Sequence, residues 1–169
     1  MAQPDERLIK WLRDTHAMEK EAESMLTTLA SRIEHYPQLK QRVEQHVEET
    51  RSQASRIEAR LHALGSDTTT VKDASSSVMG AVAAGSHALW SDEVLKSFGA
   101  SYAFEHLEIA AYRNLMFAAE ALGDTATAQL CREILPEEEA MAGWLLEHQQ
   151  ALVQQFIALD QAEGVSAKR

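Results

Sequence analysis

Two glutamates one helical turn apart, inside an otherwise apolar band, are the residues of this sequence best suited to chemistry. The stretch reads Tyr102-Ala-Phe-Glu105-His-Leu-Glu108-Ile-Ala-Ala-Tyr112. Wound at roughly 100° per residue, it places Val94, Phe98, Glu105, Ile109, Tyr112 and Met116 on one face, with Glu108 close beside it. An uncompensated carboxylate on a buried face costs several kcal/mol or takes up a proton. Two of them a turn apart repel unless a cation sits between them, and Glu-x-x-Glu can chelate or bridge a metal ion from a single helix. When several helices offer carboxylates at matching depth, a pair of divalent ions in a four-helix bundle is the economical compensator.

Other segments repeat the pattern. Leu12, His16, Glu19, Glu23, Leu26 and Ala30 share a helical face, and Glu19 lies near its centre. Alone, Glu19 reads equally well as a boundary residue of an amphipathic helix, and His16 reads first as a satisfied core histidine. Further on, His46, Glu49, Thr50 and Gln53 flank a stripe through Val43, Val47 and Ile57. Glu48 points almost the other way, so Glu49 is the inward candidate, and His46 and Glu49 are placed to reach one ion together. Near the end, Glu137 and Glu138 flank the stripe of Leu130, Ile134, Met141, Leu145 and Leu152, while Glu139 lies opposite it. Helical geometry does not choose between Glu137 and Glu138. Three carboxylates after Pro136 also suit the start of a helix broken there. Tyr112 is placed to hydrogen-bond a ligand or to be oxidised near one. His106 projects away from the band.

The elements that must position these groups are long helices. The chain has 169 residues, 45% of them hydrophobic, with only three prolines and seven glycines, which favours an all-α single domain over residues 1–169. The first helix is expected from about Pro4 to Ile33, and the second from the Tyr36-Pro37 break to about Leu64, with Gly65 as its stop. The third opens at Ser91-Asp92-Glu93 and ends near Leu122-Gly123. Asp124 caps a fourth that reaches about Gln161, interrupted or bent at Pro136. Residues 71–89 are rich in small side chains and read as a crossover carrying a short helix. Two antiparallel hairpins joined by a long crossover make a ferritin-like four-helix bundle.

A net charge of −10 argues against nucleic acid and anionic membrane as partners. The single cysteine, Cys131, rules out a disulfide framework and reads as a packing residue. No apolar run is long enough to cross a bilayer, and the first residues lack the apolar core of a secretory signal, so a cytoplasmic location is expected. Neither a nucleophile triad nor a phosphate-binding loop is present.

The stretches from Trp11 to Leu26, Glu44-Gln-His46-Val-Glu-Glu49-Thr50, Phe104 to Tyr112 and Glu137 to Trp144 together resemble the bacterial YciE/YciF stress proteins, most closely the YciE branch. The resemblance covers nearly the whole chain. It implies a ferritin-like bundle, a homodimer and a carboxylate-rich dinuclear metal site described as ferroxidase-like. Carried onto this sequence, the metal ligands are Glu19, Glu49, Glu105, Glu108 and one of Glu137 or Glu138, with His46 as the nitrogen donor. The chain departs from the usual pairing of two Glu-x-x-His motifs. Where the second helix would carry one it reads Thr50-Arg-Ser-Gln53, and Glu138 is followed by Met141 at that spacing. A site with so little imidazole suits Fe, Mn or Mg over Zn or Cu by ligand type, with Fe first and Mn next.

Two functions of different classes follow. In one, a di-iron centre oxidises Fe(II) with oxygen or peroxide. In the other, the chain is a non-catalytic stress-response dimer working through protein contacts. Its inward glutamates then pair with Arg51, Arg113 or Lys20, or sit protonated, and its metal site is vestigial.

Overall fold

In the computed structural model, the described residues are 5–68, 91–162 and 166–168. Among them are four helices: α1 (Glu6–Arg32), α2 (Pro37–Ala63), α3 (Glu93–Ala121) and α4 (Thr125–Asp160). The expected crossover helix at residues 71–89 and the start at Pro4 lie outside the described residues. Asp5 caps α1, its side chain accepting from the Arg7 N–H.

The helix ends follow from their local chemistry. Gly65 and Gly123 both adopt positive φ, 73° and 74°, immediately beyond α2 and α3. At Gly123 the chain reverses within three residues, the Asp124 N–H bonding back to the Ala119 carbonyl at 2.8 Å. Asp124 then opens α4, accepting from the Thr127 N–H at 3.0 Å and its hydroxyl at 2.7 Å. Arg60 of α2 closes on both Asp124 oxygens at 2.7 and 2.8 Å and on Thr127 Oγ1 at 2.8 Å. One aspartate thus caps a helix and locks two hairpins together. Replacing Asp124 by alanine is expected to cost about 1–2 kcal/mol by losing that cap, a drop that thermal unfolding would detect; an unchanged midpoint would contradict this role.

The interruption expected at Pro136 does not occur: α4 is continuous from Thr125 to Asp160 with Pro136 inside it. Pro136 and Arg132 are both exposed. The carbonyl that loses its donor therefore lies on the outer face, where water can take it.

α1 packs chiefly on α2, and α3 on α4, while the α1–α3 and α2–α4 seams are sparser. At one end, Leu8 and Leu12 of α1 meet Ile57 and Leu61 of α2, Leu115 of α3 and Ile134 of α4. At the other, Leu26, Val43, Phe98 and Leu145 form a second core. α2 ends where α3 does, not where α3 begins, so residues 64–92 connect opposite ends of the bundle. That is the ferritin-like arrangement. The second end is tied further by residues 166–168. The Tyr36 hydroxyl donates to the Ala167 carbonyl at 2.5 Å, and the Val94 N–H, at the start of α3, donates to that of Lys168 at 3.0 Å. No helix among the described residues is long and apolar enough to cross a membrane.

Candidate metal centre

Between the two apolar cores lies a layer of buried polar side chains, and all four helices contribute. α1 supplies Glu19, α2 His46, Thr50 and Gln53, α3 Glu105 and Glu108, and α4 Glu138. None is more than 1% exposed. Each arrives by helical periodicity. Glu19 continues the buried stripe of Leu8, Leu12, Ala22 and Leu26, and Glu105, Glu108 and Tyr112 share the stripe of Phe98, Leu115 and Ala119. The sequence places polar groups where the packing pattern demands apolar ones.

One set of potential ligand atoms from His46, Glu105, Glu108 and Glu138 lies within 4.8 Å of one another. His46 Nε2 is 3.1 Å from a Glu105 oxygen and 3.7 Å from a Glu138 oxygen. Both are close charge contacts, and neither meets the geometry of a hydrogen bond. Among the described residues, the buried side-chain polar atoms with no hydrogen-bond partner are Glu19 Oε2, His46 Nε2, Gln53 Oε1, Glu105 Oε2, Glu108 Oε1 and Glu138 Oε2. All belong to this layer. Folded proteins rarely leave one such atom unmatched, and each costs about 1–3 kcal/mol. Five oxygens and an imidazole nitrogen without partners, on four helices at one depth, fit the donor set of a hard divalent ion.

The surrounding groups set the orientation. Glu49 Oε2 accepts from His46 Nδ1 at 2.7 Å and from Arg42 at 3.1 Å, and Gln45 holds its other oxygen at 2.9 Å. Burial raises the Glu49 pKa, but the His46 and Arg42 bonds outweigh it and hold it at about 2. An ionised carboxylate can only accept, so Nδ1 carries the proton and Nε2 is the nitrogen turned to the cluster. Tyr112 donates its hydroxyl to Glu19 Oε1, leaving Oε2 as the atom without a partner.

Charge is severely crowded without a metal. Burial, followed by the fields of Glu105 and Glu19, pushes Glu138 up to about 9. Glu108 lies well above the carboxylate range through burial and then the fields of Glu19, Glu138 and Glu105. Burial lifts Glu19 to about 7 despite the Tyr112 bond. For His46, burial acts to lower the pKa, yet Glu105 and Glu49 outweigh it and raise it to about 10. The metal-free layer is therefore held by protons and one imidazolium.

Of the residues singled out in the sequence, the structure brings His46, Glu105, Glu108 and Glu138 together, with Glu19 in the same layer. Glu49 stands outside, on the far nitrogen of His46. Glu137 turns outward, 2.5 Å from Arg56. The cations suggested as internal partners are all engaged at the surface: Arg51 with Glu23 and Glu48, Arg113 with Glu139, and Lys20 with Glu23. His16 is only half-buried, not a core residue, and His106 is exposed against the Tyr102 ring. Sequence reasoning undervalued Gln53, which is fully buried and reaches both Glu137 and Glu138 through its amide nitrogen. A neutral amide in a helix carries no sign of this, and only the partner helix gives it a role.

The family profile described as "Domain of unknown function (DUF892)" matches residues 3–158. Among solved structures, a protein from Xanthomonas campestris is 48% identical, with a TM-score of 0.78 over 93% of this chain and 98% of that one. The stress protein YciF of E. coli is 27% identical, with a TM-score of 0.75 over 88% and 96%. YcfI from Rhodopseudomonas palustris is 25% identical, with a TM-score of 0.72 over 82% and 90%.

Proposed function

We propose that this chain, which belongs to the DUF892 family of domains of unknown function, is a ferritin-like stress-response protein whose buried carboxylate layer binds divalent metal. The observation that carries this reading is the set of buried, unpartnered donor atoms converging from all four helices. His46, Glu105, Glu108 and Glu138 would hold the first ion, and Glu19 would extend the set toward a second. Oxygen-dominated ligation favours iron, with manganese next. Bound there, iron would supply one-electron chemistry, with Fe(II) oxidised by oxygen or peroxide. The protein's own contribution is a closed, preorganised shell. Glu49 fixes the histidine tautomer, Tyr112 fixes which oxygen Glu19 presents, and the apolar cores on either side exclude water. The similarity to YciF supports the stress assignment. We extend it to the YciE branch, a cytoplasmic setting and a homodimer.

A second reading has its own support. His46, raised to about 10, is already an internal counter-charge to Glu105 and Glu138. A bundle so compensated could persist without metal and act through its surface.

Stability against pH separates the two. A carboxyl raised from 4.5 to about 9, and a histidine raised from 6.5 to about 10, both bind more protons folded than unfolded between those values. Their contribution is complete at low pH and is lost as pH rises through the folded values, so the metal-free protein should become less stable from pH 6 to pH 9. Metal must displace those protons, so its stabilisation should grow over the same range. At about a hundredfold excess over Kd, Mn(II) should add about 2.7 kcal/mol, or roughly 5–10 °C in a chain of this size. Thermal scans at pH 6, 7 and 8 with and without Mn(II) measure this directly. No metal-dependent shift at any pH would favour the second reading.

A further inference from the structure

The cluster is sealed, its four metal-facing side chains 0–1% exposed, so a cation must pass a side chain to reach it. The α2–α4 seam is the sparsest of the four between neighbouring helices, and two chains of polar contacts lead inward from groups beside it. The first runs from Glu49, whose side chain is 24% exposed, to His46. It presents N–H groups: Glu49 is already held by Arg42, Gln45 and the protonated Nδ1 of His46. Its inner step is the N–H of His46, so a cation following it finds no free acceptor between Glu49 and the cluster. The second runs from Glu137, 32% exposed, through Gln53 to the fully buried Glu138. Gln53 Nε2 bonds Glu137 Oε2 at 2.9 Å and also a Glu138 oxygen. Along this route Gln53 Oε1 and Glu138 Oε2 are buried acceptors without partners. Gln53 turns its N–H2 group to both glutamates, and a half-turn of that amide would set Oε1 between Glu137 and the cluster, completing the run of oxygens that a hard cation shedding water requires.

We propose that Glu137, Gln53 and Arg56 form the port through which a divalent cation enters and leaves the buried cluster. This rests on the metal-binding reading above. In the closed state Arg56, 29% exposed, holds Glu137 Oε2 at 2.5 Å. An arriving dication replaces the guanidinium on Glu137, and Gln53, its amide turned to present Oε1, spans the step to Glu138. No covalent bond forms or breaks. The adjacent glutamates therefore divide the work: Glu138 belongs to the cluster and Glu137 to its access. Arg56 opposes the cation at the port, so its removal has the opposite effect to removal of Glu137.

The test is stopped-flow loading of the full metal-free chain with Mn(II), followed by release into excess chelator. A port acts on the barrier, so Glu137→Gln should slow association and dissociation by a common factor of about ten, the low end for a charge focusing a cation. Arg56→Gln should accelerate loading, most at low salt. Both side chains are about a third exposed, and circular dichroism verifies that the variants fold. Loading of Glu137→Gln at the wild-type rate would overturn the proposal. So would a change confined to faster release, which would make Glu137 a ligand, or slowing by both variants, which would make the ion pair merely structural. Failure of the wild-type chain to take up Mn(II) would remove the metal-binding reading itself.

Discussion

Replacing His46 by alanine is expected to lower the stability of the metal-free protein by about 3–5 kcal/mol, the usual result of removing one partner from a buried charge network. The thermal midpoint should fall by about 10 °C. His46 is fully buried, its Nδ1 bonds Glu49 at 2.7 Å and its Nε2 faces Glu105 and Glu138. Without it, Glu105 and Glu138 lose the cation between them, and a buried cavity is left. Metal affinity should fall as well, by about a hundredfold or more, because the set loses its only nitrogen donor and the orientation that Glu49 imposes on it. Calorimetry of the variant with and without Mn(II) reads both effects. A variant as stable as the wild type would show that His46 is not the internal counter-charge.

Glu108→Gln is expected to separate the two effects. Glu108 is buried and held well above the carboxylate range by burial and then by Glu19, Glu138 and Glu105. In the metal-free protein it is already neutral, so an amide of the same shape should change stability by less than about 1 kcal/mol. A slight gain is expected, since ionisation is no longer open to it. Metal binding needs that ionised oxygen, and affinity should drop by about a hundredfold, a loss of about 2.7 kcal/mol. Near-native melting with poor metal uptake is the signature of a residue kept for binding at no benefit to folding. Equal loss of both would make Glu108 structural.

These expectations depend on features of unequal legibility in the sequence. The bundle was readable because its helices are long and their apolar stripes recur at the helical period, with Gly65, Gly123 and Asp124 marking ends by local chemistry. Glu19, Glu105 and Glu108 were readable for the same reason, as carboxylates standing where the period requires an apolar side chain. Glu137 and Glu138 were not separable. They flank the stripe from opposite sides, and the choice is made by Arg56 and Gln53 on another helix. Glu49 was misleading in its own way: one turn from His46 it has the spacing of a co-ligand, yet Arg42 and Gln45 of α2 turn it to the other nitrogen. Pro136 implied a break that did not occur, because its cost depends on which face the freed carbonyl occupies. For Glu137, Glu138 and Pro136 the missing information is tertiary, which neighbour or solvent faces a group that the period only places; for Glu49 it is a competition among side chains of its own helix.

The central claim is that the buried layer is a metal site rather than a self-compensated polar core. Anaerobic calorimetric titration of the metal-free protein with Fe(II), in two buffers of different ionisation enthalpy, tests it most directly. Saturation at about two ions per chain, as in related carboxylate bundles, with protons released and with binding lost in His46→Ala, is the result expected here. A flat titration from a correctly folded protein would contradict it, leaving the carboxylates, their protons and His46 as a polar core complete without metal.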